Sequence, residues 1–266
     1  CIITLMATAS GGGVPVASSS YNGNGYDVIN DRYYFSCFDN SPRTLWRIDN
    51  FSTAPSVPVA VGTLTGGISN GSFYEEKYYC VGHNTDDLYV VEFTATGLIE
   101  TKIADITGNT KNLYFGDIAM GPGGVLYGSV GTAIPPASAG GSSNPEFFIY
   151  DGTTYTAYPK AQTGQPEALQ IAFGDNGVLY GYSVSTNTFY SIDTSNGNAT
   201  AICTSTKDFG DLARGSEEPP LVPEINIKPY SWPNAINTCS SGGTPVIIWG
   251  SESFDVTKIL LDTLTF

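Results

Sequence analysis

Residues 118–128, IAMGPGGVLYG, and residues 171–181, IAFGDNGVLYG, are one phrase written twice, identical at eight of eleven positions and 53 residues apart. Each copy reads as a strand, a glycine-rich hairpin and a second strand, because Gly121-Pro122-Gly123-Gly124 and Gly174-Asp175-Asn176-Gly177 supply the positive φ angles that tight hairpins need. Looser copies stand at 25–37 (GYDVINDRYYFSC) and 72–82 (SFYEEKYYCVG). A third strand follows each copy, at 44–49, 87–93, 146–151 and 188–193, and a fourth at 57–62, 99–104, 154–159 and 199–204. A four-stranded unit of this size cannot cover its own apolar face, so the units must stack on one another. Radial stacking makes a β-propeller.

The pattern predicts an all-β chain: a propeller of four or five four-stranded blades, followed by a small incomplete β-sandwich module. The fifth unit is a fragment, FGDLA at 209–213, echoing FGDIA at 115–119. The 17 Tyr, 13 Phe and 31 Gly fit this reading, since aromatic residues suit a pleated surface and glycine suits its turns. No amphipathic helix is expected. Four segments follow: an N-terminal arm at 1–20, the propeller at 21–214, a proline-rich linker at 215–223 (GSEEPPLVP), and the module at 224–266.

A net charge of −14 with only 11 Lys and Arg excludes the concentrated positive patch that nucleic acid or an anionic membrane surface requires. No apolar run is long enough to span a bilayer. Five cysteines with a single histidine and no CxxC spacing point to disulfides rather than zinc. Cys37 and Cys80 occupy equivalent strands and are expected to bridge; Cys203 and Cys239 are expected to staple the propeller to the module. Sequons at Asn50, Asn70 and Asn198 are candidate glycan sites.

Local catalytic motifs are missing. His83 is the only possible histidine base, no G-x-S-x-G elbow accompanies it, and the acid pairs Glu75-Glu76, Asp86-Asp87 and Glu217-Glu218 have no fixed separation. The expectation is therefore a protein that is not an enzyme and has no cofactor. Calcium is the one metal the turns suit, through Asp86, Asp87, Asp175 and Asn176. The aromatic strands RYYFSC and KYYCVG read as packing between blades rather than as a sugar-binding floor.

The C-terminal run I-x-I-K-P-x-S-x-P-N-x-I-N, then P-V-x-I-x-G-S-x-x-F-D-V, then T-L-x-F, resembles a β-sandwich-like module of secreted and cell-surface bacterial proteins. The resemblance covers about a sixth of the chain, is similar to only the first half of that module, and implies an extracellular or cell-surface protein. A half-module of this size needs a partner strand. The apolar residues Ile2, Ile3, Leu5, Met6 and Ala7 form a suitable donor, and Ile225, Ile227, Val246, Ile248, Phe254, Val256, Leu264 and Phe266 the acceptor. Donation from one copy to the next would build a homo-oligomeric, helical filament, so the expected role is a structural subunit of an extracellular fibre. The second expectation is a monomeric carbohydrate- or ligand-binding propeller.

Overall fold

The computed structural model describes Gly12, Val14 and residues 21–37, 43–65, 68–82, 85–95, 97–108, 113–132, 145–214, 224–227 and 246–249. The chain divides into two compact units, Cys1–Glu217 and Glu218–Phe266. The first is a β-propeller. Its blades are antiparallel four-stranded sheets in simple meander order. The first blade is β1 (Tyr21–Asp27), β2 (Arg32–Cys37), β3 (Arg43–Asp49) and β4 (Val59–Leu64). The second is β5 (Ile68–Tyr74), β6 (Lys77–Gly82), β7 (Asp87–Thr94) and β8 (Gly97–Asp105). The third is β9 (Leu113–Met120), β10 (Leu126–Thr132), β11 (Pro145–Tyr150) and β12 (Tyr155–Pro159). The fourth is β13 (Gln170–Phe173), β14 (Leu179–Ser183), β15 (Thr188–Ile192) and β16 (Ala199–Thr204).

Turn chemistry sets the hairpins. Gly123, Gly124 and Gly177 take φ of 73°, 75° and 72°, as the repeated phrase requires. Glu75 and Glu76 do the same job without glycine at φ of 46° and 61°, closing a two-residue turn between paired Tyr74 and Lys77. The fourth strand of the first blade begins at Val59, two residues later than expected, because Pro58 has no N–H for the ladder. A four-residue helix, α1 (Lys160–Thr163), follows β12; it was not expected, and Gly164 ends it at φ 67°.

Blade faces make the core. Tyr34, Leu45, Phe73, Tyr78 and Val91 fill the space between the first two blades, with Tyr34 stacked on Phe73 (5.3 Å) and Phe93 (4.8 Å). Similar clusters join the second to the third blade through Ile118, Leu126 and Phe148, and the third to the fourth through Phe147, Leu169 and Leu179. Each such side chain contributes roughly 1.5–3 kcal/mol by leaving water. Tyr34, Tyr78 and Tyr79 thus serve as interblade packing, while Tyr33 packs on Phe35 and Phe51 of its own blade.

Two expectations fail here for physical reasons. Cys80 is a free thiol, fully buried in the core between the first two blades, so it does not bridge to Cys37. Asn70 is 1 % exposed and its amide nitrogen donates to Gly116 O at 2.5 Å, which leaves no room or free atom for a glycan. Asn50 and Asn198 are exposed. Cys239 lies outside the described residues, as do His83, the donor residues Ile2, Ile3, Leu5, Met6 and Ala7, and Phe254, Val256, Leu264 and Phe266. In the second unit β17 (Glu224–Ile227) pairs with β18 (Val246–Trp249), setting Ile225 opposite Ile248 and Ile227 opposite Val246. Among the described residues no helix is long and apolar enough to cross a membrane.

Candidate functional site

The inner strands stand side by side around the propeller axis, β1 against β5, β5 against β9 and β9 against β13. A fifth inner position is taken by residues 205–214, which form no strand. There the Asn24 N–H donates to Asp211 Oδ2 at 2.9 Å, while Phe209 packs edge-on against Tyr182 of the fourth blade at 5.2 Å. The echoed FGDIA and FGDLA therefore occupy corresponding places, each sending an aspartate inward.

Each inner position supplies an oxygen-bearing side chain: Asn24 in β1, Asn70 in β5, Asp117 in β9, Gln170 in β13 and Asp211 in residues 205–214. Asp117 is fully buried and Asp211 is 9 % exposed. Asp117 Oδ1 accepts the Ile118 N–H (2.7 Å), and Oδ2 accepts the Ile171 N–H from the next blade (2.9 Å). Its carboxyl also reaches that of Asp211. A whole blade separates the two in the ring, so they meet across the axis.

Burial dominates the electrostatics. It pushes the Asp117 carboxyl well above the usual carboxylate range, and the Asp211 charge pushes in the same direction. Asp211 is pushed up to about 7, again by burial first, with the Asn24 N–H, Asp117 and the Leu212 N–H working against the rise. Two buried carboxyls in contact cannot both ionise without a compensating positive charge.

Three ring atoms point the same way. Asn24 Oδ1, Asn70 Oδ1 and Gln170 Oε1 are buried without a hydrogen-bond partner, and they are the buried side-chain oxygens of which this is true among the described residues. For Asn70 the orientation is fixed by its nitrogen, which donates to a carbonyl and so leaves Oδ1 turned away. Leaving such an oxygen unsatisfied costs about 1–3 kcal/mol. Three amide oxygens and two carboxyls form a hard, all-oxygen donor set of the kind that suits calcium rather than zinc or copper.

Of the acidic turns expected to hold calcium, the one at Asp86 and Asp87 brings three carboxylates close enough to share an ion. Asp86 and Asp87 lie together with Asp105. Asp86 Oδ2, however, accepts the Thr107 N–H (3.0 Å) and the Thr107 hydroxyl, and Asp87 pairs with Lys102. Asn176 Oδ1 accepts the Val178 N–H (3.1 Å) inside its hairpin, away from the ring. Sequence reasoning missed the ring because its members recur once per blade, at intervals of roughly 50 residues, instead of within one motif. The repeated aspartate of FGDIA and FGDLA was the available signal.

No family model matches the chain, and no curated protein does. Solved structures do. The gluconolactonase XC5397 from Xanthomonas campestris overlaps with a TM-score of 0.51 at 10% identity, over 73% of this chain and 66% of that one. A virginiamycin B lyase from Staphylococcus aureus overlaps at 0.44 and 12% identity, over 76% of this chain and 77% of that one. A Bacteroides thetaiotaomicron protein overlaps at 0.45 and 16% identity, over 71% of this chain and only 45% of that one. The chain thus spans less than two thirds of the length of some of the structures it matches. A luciferin-regenerating enzyme is also among them. XC5397 is an enzyme on this fold, which overturns the ground of the expectation of a non-enzyme: that expectation rested on missing local motifs, and a propeller needs none when each blade contributes one residue. Nothing among the described residues speaks for fibre assembly. What the likeness establishes for this chain is the β-propeller fold.

Proposed function

We propose that the chain is an enzymatic propeller acting on a small ligand at the axial ring, and that the ring is built around a divalent cation, calcium by its donor set. The observation that carries this reading is two buried carboxyls in mutual contact, together with three buried, unpartnered amide oxygens on the inner strands. A divalent cation would balance both carboxylates and satisfy the amides at once. When bound there it would polarise an oxygen function of the ligand. Only two of the five donors carry charge, which fits the weaker class of calcium site, of roughly 0.1–1 mM, used by extracellular modules. Location outside the cell is part of the proposal, resting on the C-terminal sequence pattern.

Calorimetric titration of the full chain with calcium chloride tests the site. One site per chain is expected, weakened more than about tenfold by Asp117→Asn or Asp211→Asn and unchanged by Asp86→Asn. No heat of binding, or binding lost only with Asp86→Asn, contradicts the reading. Turnover of small lactones, the first substrates to screen because one neighbour is described as a gluconolactonase, should vanish in chelator and with Asp117→Asn.

A further inference from the structure

The ring has four blades and five inner positions, and the odd position is filled by a peptide. Residues 205–214 make no ladder with a partner strand, and Thr206, Lys207 and Asp208 are exposed. On the side of the fourth blade the Ser205 N–H donates to the Asn187 carbonyl at 2.6 Å, and side chains hold the rest. Asn187 Nδ2 donates to Asp208 Oδ1 (2.9 Å). The Tyr182 hydroxyl lies 3.1 Å from the Lys207 carbonyl and accepts the Phe209 N–H at 3.4 Å, and the Phe209 ring rests on Tyr182 and Phe189. On the side of the first blade the Asn24 N–H donates to Asp211, and the Gly23 N–H also reaches that carboxyl. The same segment carries Asp211 to the axis, where it meets Asp117.

We propose that residues 205–214 are a strap that closes the propeller, and that cation binding and ring closure are one event. This rests on the axial ring being a divalent-cation site. Without the cation, the Asp211 carboxyl is held at the axis by the Asn24 N–H and by its contact with Asp117. With the cation between them the same contact draws the strap inward. The site is incomplete while the strap is open, because one of its two carboxyls leaves with it. Linkage makes the effect reciprocal: whatever loosens the strap weakens the cation, and whatever removes the cation loosens the strap.

Hydrogen exchange of the full chain, followed by mass spectrometry in chelator and in excess calcium chloride, tests the coupling. Amides of residues 209–213 and of Asn24 are expected to exchange about tenfold more slowly with calcium, while those of β6 and β7 stay unchanged. Phe209→Ala, which removes the ring's anchor on Tyr182 without touching the axial residues, is expected to weaken calcium binding several-fold by calorimetry. Calcium uptake with unchanged exchange at 209–213, or full affinity in Phe209→Ala, overturns the coupling and leaves the cation site standing. No calcium uptake by the unmodified chain overturns both.

Discussion

Single residues tie the hairpin ends of the first blade together, and Asp31 shows how. Its Oδ1 accepts the Tyr26 hydroxyl (2.7 Å) and the Ser52 N–H (2.8 Å), from a backbone at φ 52°. Burial works to raise its pKa, but the hydrogen bonds from Tyr26, Ser52 and Thr53 outweigh it and the group sits below its usual value. A carboxyl depressed in the folded state stabilises above its unfolded pKa of about 3.9, and that contribution fades as pH falls through the lower, folded value. Acid unfolding of Asp31→Asn should therefore show a shallower loss of stability below about pH 4 than the unmodified protein. An identical acid limb would show that the group is not coupled to folding. Legibility differed sharply from residue to residue. Gly123 and Gly177 were readable because a turn demands one backbone conformation. Asn70 was read as a glycan site because a sequon is blind to burial.

At the scale of elements, strand spacing depends on residues that keep side chains out of the way. β9 and β13 approach so closely that a Cβ on Gly116 would lie 2.8 Å from Ala168 Cβ and 2.8 Å from Leu169 O. Gly116→Ala should lower stability by about 1–3 kcal/mol, read as a fall in the denaturation midpoint, because neither backbone can withdraw without breaking the Ile171 N–H bond to Asp117. A neutral outcome would mean that the inner strands can spread. The strands themselves were largely legible: 44–49 and 199–204 were read within one residue of β3 and β16, since turn residues and alternating apolar positions bracket them. Helix α1 was not, because four residues carry no period.

At the largest scale, the first unit is a ring of repeats in which closure and the candidate site share one segment. Repetition in the sequence disclosed the blades, and the echo of FGDIA in FGDLA disclosed that a fifth position exists. It could not disclose that a peptide would stand there in place of a blade, since pairing across the axis joins residues far apart in the chain. Nor could it disclose the ring, whose members are ordinary polar residues until the fold sets the inner strands side by side. The most direct test is a crystal structure of the full chain grown with calcium chloride, with anomalous scattering recorded on the axis. The account predicts one calcium peak ringed by Asn24, Asn70, Asp117, Gln170 and Asp211; a water-filled axis, or calcium only beside Asp86, Asp87 and Asp105, would contradict it.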